Sequence, residues 1–134
     1  MTKYADIVSD VFSVFAMTAW ADLNIATIPD NVPRPADIAE YVHVSVIPSG
    51  GGINIGSGSG ILSADIYTPR GQGPLRAALI ADFLDGFLVG NSLTSGEGTS
   101  QFLGSSFATS GIDKENPDLY KSVYSITFKH FVRS

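Results

Sequence analysis

Gly60-Ile61-Leu62-Ser63-Ala64-Asp65-Ile66-Tyr67-Thr68-Pro69-Arg70-Gly71-Gln72-Gly73-Pro74 is the stretch whose reading decides the fold. Its first half alternates: Leu62, Ala64 and Ile66 point one way, while Ser63, Asp65 and Tyr67 point the other, the period of a half-buried strand. Its second half is punctuation. Pro69, Gly71 and Gly73 end the strand, and Pro74 suits a first helical position, where its missing N–H has no partner to lose. Beyond it Leu75, Leu79, Ile80, Phe83, Leu84, Phe87 and Leu88 recur at helical spacing, so a helix is expected from about Pro74 to Leu88.

Upstream, Val42, Val44 and Val46 alternate with Tyr41, His43 and Ser45, and predict a strand over Tyr41 to Ile47. Between the two strands, residues 48–60 are rich in Gly and Ser and read as a flexible loop carrying Ile53 and Ile55. Pro29, Pro33 and Pro35 forbid both helix and central strand, so that segment is a connection, preceded by a short strand around Leu23 to Ile28. At the N-terminus Ile7, Val8, Val11, Phe12, Val14 and Phe15 predict a helix from about Tyr4 to Ala19, with Asp6, Ser9, Asp10 and Ser13 as its polar face. Trp20 reads as a core anchor closing that helix. Downstream, Gln101 to Ala108 is a weaker strand. Tyr124, Ile126, Phe128 and Val132 mark one face of a clear final strand. The expected fold is α+β: a mainly antiparallel sheet of about four strands with two helices packed on one face, in a single domain spanning 1–134.

Composition narrows the function. The 134 residues hold 8 Lys plus Arg and 13 Asp plus Glu, a net charge of −5, which argues against a nucleic-acid binder. Charged residues are 16%, against about 25% in ordinary soluble domains, so Gly, Ser and Thr stand where charge usually does. A small domain with so few charges is expected to hide surface in an oligomer. Without cysteine there is no disulfide framework, thiolate metal site or Cys nucleophile. The uncharged run from Val11 to Ala21 is about half of what spans a bilayer. Ala19-Trp20-Ala21 formally fits a cleavage site, but Asp6 and Asp10 stand where a signal peptide is basic, so a cytoplasmic product is expected.

Motifs with chemistry are few. Gly56-Ser57-Gly58-Ser59-Gly60 precedes a strand instead of opening a helix and lacks the phosphate-loop lysine, so a loop reading is favoured over phosphate binding. Asp82 and Asp85 share a helix, where a solvated face is favoured over an acid–base pair. Asp113, Glu115 and Asp118 lack the glycine of a calcium loop. His43 and His130 lie on different strands and could approach each other around a metal, but surface or satisfied histidines are favoured. No G-x-S-x-G pattern supports a Ser-His-Asp nucleophile.

The segment Gly60 to Gly73 resembles the strand-to-helix signature of bacteriophage tail terminator proteins: a Gly-led strand, an aromatic end, a Pro-x-Gly-x-Gly turn and an amphipathic helix. The matching positions are Gly60, Tyr67, Pro69, Gly71 and Gly73, followed by Ile80, Ala81 and Phe87, and Val123 to Phe131 is similar to the family's closing strand. The resemblance implies a virion structural protein without catalysis, cofactor or metal. It implies a hexameric ring that binds the last ring of the tail tube protein, stops its growth and offers a platform to a head–tail connector, the neck protein. DNA would pass through its lumen without specific binding, and no membrane is involved. Assembly would take place in the host cytoplasm and the product would reside in the tail or neck of the virion. Ile53 and Ile55 are expected to contact a neighbouring subunit or the tube, and Tyr67, Arg70 and Gln72 to sit at the subunit boundary. The rival expectations are another neck or head-completion connector, a small-ligand-binding module or hydrolase with a polar pocket, and an unrelated homo-oligomeric scaffold.

Overall fold

The computed structural model describes residues 3–29, 40–51, 58–69, 71, 74–95, 98–112 and 119–132. Its elements are α1 (Lys3–Phe15), α2 (Thr18–Ala21), β1 (Thr27–Pro29), β2 (Tyr41–Gly51), β3 (Gly58–Pro69), α3 (Leu75–Leu88), β4 (Ser92–Ser95), β5 (Gly98–Ile112) and β6 (Leu119–Val132). All strands join one six-stranded sheet in the order β1-β2-β3-β6-β5-β4. β1 runs parallel to β2, and every other pair is antiparallel.

This corrects the expected α+β arrangement of about four antiparallel strands under two helices. Strand dominates, the sheet is mixed, and three helices are present among the described residues. Two physical reasons account for the difference. β4 is too short to show an alternation, so only tertiary pairing reveals it, while the short strand expected around Leu23 to Ile28 is present as β1 but shifted to Thr27–Pro29. The expected N-terminal helix breaks after Phe15, where Met17 turns extended (ψ 143°), and α2 begins one residue later. The glycine-rich stretch also contributes more strand than its composition suggests. β2 continues to Gly51 and β3 starts at Gly58, with a register shift between Pro48 and Gly50. Backbone pairing tolerates glycine where the neighbouring strand supplies the ladder.

One face of the sheet is covered. Val42 and Val44 of β2, Leu62, Ala64 and Ile66 of β3, and Tyr124, Ile126 and Phe128 of β6 are buried beneath the helices, on the faces that alternation assigned. Ile7, Val11 and Val14 of α1 and Ile80, Leu84 and Leu88 of α3 complete the same core. Each large side chain so buried contributes about 1.5–3 kcal/mol. Trp20 holds the two helical regions together. Its ring meets Phe15 edge-on at 5.1 Å and Phe87 at 5.4 Å, and its Nε1–H donates to Thr27 Oγ1 at 2.9 Å. The break after Phe15 is what lets Trp20 turn inward.

Polar ties then fix α3 on the sheet. Arg76 donates from Nε and Nη2 to the Glu40 carboxylate, with a shortest distance of 2.8 Å. Asp85 Oδ1 accepts from Tyr124 Oη at 2.7 Å and Ser105 Oγ at 2.6 Å. Asp85 is therefore a helix-to-sheet tie, while Asp82 stays exposed, and the two do not form a carboxylate pair. Gly90, with φ +74°, turns the chain from α3 into β4, a conformation that glycine adopts without penalty.

Candidate functional site

The expected subunit boundary centres on the turn after β3. Of the residues named for it, Tyr67 is described, while Ile53, Ile55, Arg70 and Gln72 lie outside the described residues, as do Asp113, Glu115 and Asp118. Tyr67 stacks on Tyr41 with ring centroids 4.5 Å apart and planes 14° from parallel. Lys121 Nζ lies 5.9 Å from the Tyr67 centroid and 3.7 Å from Asp65 Oδ2. Tyr67 is thus half-buried and held by its own chain, its rim still open to a neighbour. Beside it, a depression of about 360 Å³ is lined by Pro69, Gly71, Pro74 and Tyr120. Among those described residues the Tyr120 phenol is the side-chain group that can hydrogen-bond.

Three polar side chains meet beneath α1. Asp10, Ser100 and His130 are each 0% exposed. Ser100 Oγ donates to Asp10 Oδ2 at 2.6 Å and lies 2.9 Å from His130 Nδ1. A hydroxyl has one proton, so His130 Nδ1–H must donate to Ser100. His130 Nε2 has no partner among the described residues. In a nucleophilic triad the histidine bridges the carboxylate and the serine; here the serine bridges the other two and its proton is turned away from the histidine. The cluster is also closed to solvent. Its chemistry is that of a core lock joining α1, β5 and β6.

This cluster corrects one sequence reading and decides another. Asp10 does not belong to the polar face of α1. It follows Ile7 by three and precedes Val14 by four, which places it on the buried stripe. His130 is the satisfied histidine of the two alternatives, buried and bonded through Nδ1, and it does not approach His43. His130 follows Tyr124, Ile126 and Phe128 on the helix-covered face, whereas His43 sits half-buried on the opposite face. No group of three or more metal-ligating side chains occurs among the described residues.

Among the described residues no helix lies over that opposite face. Its strands cross it in rows set by register: Ile47 beside Ile61; Ser45, Ser63, Ser125 and Ser106; His43, Asp65, Val123 and Ala108; Tyr41, Tyr67, Lys121 and Gly111. The serine row has small, uncharged side chains, with Ser106 Oγ 2.9 Å from Ser125 Oγ. Ile47 is 51% exposed and Ile61 37%. Beyond Ile47 and Ile61 the face continues through Ser59, Lys129 and Gln101 to Phe131, so it carries charge and an aromatic ring at both ends, with the serine row between them.

No family model matches the chain. No curated protein matches it either. Solved structures do. One, known only by a sequence identifier, superposes with a TM-score of 0.70 at 16% identity, covering 98% of this chain and 94% of its own. Another is a chain in the virion of a native gene transfer agent particle, with a TM-score of 0.64 at 15% identity and 96% of both chains covered. At such identities the likeness establishes a shared fold over essentially the whole length.

Proposed function

We propose that this protein is a virion structural protein, and that its place is at the end of a tail tube, as a hexameric terminating ring that also presents a joining surface to the head side. The observation that carries the reading is the full-length fold shared with a chain of a gene transfer agent virion, with nearly equal coverage of both chains. The particle named there is an assembly. A fold of this length, present in it without a large added domain, suits a repeating structural part. The strand-to-helix signature from Gly60 to Gly73 supports the tail-terminator position in particular.

Physical features support an assembling role. The chain is poor in charge, and among the described residues one sheet face has no helix over it. A head-to-tail contact between copies closes into a ring when its rotation allows. Six copies at −5 each would carry −30, a field that discourages DNA from adhering to a passage through the ring. The partners are then further copies of this chain, the tube protein on one side and a neck protein on the other. The role asks for no cofactor and no catalytic residue.

Native mass measurement and negative-stain imaging, with the protein alone and mixed with tail tubes, test the reading. The expected result is a six-membered ring of 14.1 kDa subunits seated on one tube end, which halts further tube growth. A ring that ignores tubes but binds a neck or head-completion component would move the protein to the connector side. A monomer at every concentration, indifferent to tubes, would overturn the proposal.

A further inference from the structure

The two long strands nearest the sheet margins are each half covered. β4 pairs β5 only over Gly98 to Gln101, and β1 pairs β2 only over Val42 to Val44. Among the described residues, 103–112 of β5 and 45–51 of β2 therefore have an outer edge without a partner strand. Because β2 and β5 run in opposite directions, these open halves lie at diagonally opposite corners of the sheet.

The open edges carry usable hydrogen-bonding groups. Phe102 donates its N–H to Asn91 O at 3.0 Å and accepts from Gly90 N–H at 3.3 Å, so its peptide groups face outward, away from β6. Past the bulge between Phe102 and Ser105, the same orientation falls to Ser105, Phe107 and Thr109, which oppose Ile126, Tyr124 and Ser122. Val42 donates to Ala26 O at 2.8 Å, so Val46 and Pro48 likewise face outward from β2. Proteins normally guard such edges with charge, proline or a bulge. Residues 98–112 contain no charged residue and no proline; their guards are the register shifts at Phe102/Ser105 and Thr109/Gly111, which leave Ser105 to Thr109 in regular pairing between them. Pro48 withholds one donor from β2 but keeps its carbonyl, so β2 needs a partner edge that still has its amides, and β5 does.

We propose that copies of this chain join head-to-tail by strand addition, the open half of β5 on one copy pairing antiparallel with the open half of β2 on the next. This deepens the ring reading and rests on it. The polarity fits, since β5 and β2 are antiparallel when copies follow one another with the same face outward. The corners fit as well: β4 sits beyond one end of the incoming β2, and the neighbour's β1 beyond the end of β5, as in a lap joint. Pro48 is level with Phe102 in its own sheet, four β6 residues above the level of Phe107. Bringing Pro48 opposite Phe107 thus staggers neighbours by about 13 Å. In a closed cylinder such a stagger becomes strand tilt. The joint also covers Ile47, Leu103 and Phe107, which are 51%, 37% and 40% exposed in the single chain.

The test uses the chain's lack of cysteine. The double variant Ile47→Cys/Ala108→Cys, oxidised and run on a denaturing gel, should give a ladder of covalent oligomers up to the closed ring, while each single variant stays monomeric. Phe107→Pro removes one outward N–H and leaves the β5–β6 ladder intact; it should abolish assembly while circular dichroism stays native. Ala108→Lys, a charge at the exposed margin, should do the same if Phe107→Pro fails to fold. Dimers from a single cysteine variant would mean that like edges pair about a two-fold axis, and would overturn the proposal. So would a wild-type ring with no ladder and with Phe107→Pro or Ala108→Lys assembling normally, although the ring reading would then survive. A wild-type chain that never assembles would sink the ring reading itself.

Discussion

Ser100 is the residue on which the buried polar cluster depends. It bonds to Asp10 Oδ2 and to His130 Nδ1 at once, and all three residues are out of contact with solvent. Ser100→Ala would leave two buried polar groups without their bridge, at a cost of about 1–3 kcal/mol. Urea denaturation should show a lower midpoint at unchanged slope. Tyr124 makes a second residue-scale case. Burial, and then its hydrogen bond to Asp85, raise its phenol well above the ordinary tyrosine range. A folded-state value above the unfolded one means a stabilising contribution that is complete below about pH 10 and lost as the pH rises beyond it. Tyr124→Phe should cost about 1 kcal/mol at neutral pH. It should also flatten the alkaline fall in stability, read as melting temperature from pH 8 to 11. Neither Asp10 nor His130 stood out in the sequence as a buried group, although the spacing Ile7-Asp10-Val14 and the alternation Tyr124-Ile126-Phe128-His130 both carried the information. A polar side chain on an apolar stripe invites the solvated reading until its partner is known, and the partners here are about 30 and 90 residues apart.

At the scale of elements, α3 and the three central strands were legible because each repeats its pattern over several turns or alternations. β4 was not, since four residues cannot establish a period, and β1 was legible as a short strand before the prolines but placed a few residues early. The uncharged β5 was only partly legible. Its glycines and serines have little β propensity, and its strand conformation comes from the ladder that β6 provides. α3 itself contains an avoidable weakness. Gly86 lies exposed in the helix, and a Cβ there would meet nothing within 4 Å. Gly86→Ala should stabilise the protein by about 0.4–1 kcal/mol by restricting the unfolded chain, seen as a higher melting temperature. If stability falls instead, that face of α3 is covered in solution by something the single chain does not show.

The whole molecule is incomplete as a single copy. Among the described residues, a single copy buries one sheet face under helices, has no helix over the other, and leaves two uncharged half-edges without partner strands. An assembled ring adds subunit contacts to the folding equilibrium, so its apparent stability depends on concentration. The wild-type melting temperature should rise with protein concentration, and that of Phe107→Pro should not; equal, flat curves for both would place the wild type among monomers.

The amino-acid sequence by itself determined what depends on neighbours along the chain: which residues of β2, β3 and β6 face inward, where α3 begins, and that the surface is short of charge. These follow from periodicity and from the conformational limits of proline and glycine, which act over a few residues. Only the tertiary structure decided the strand order, the parallel first pair, the burial of Asp10 with Ser100 and His130, and the two open half-edges. Each of those depends on which distant segment supplies the hydrogen-bonding partner, and a local pattern does not encode that choice.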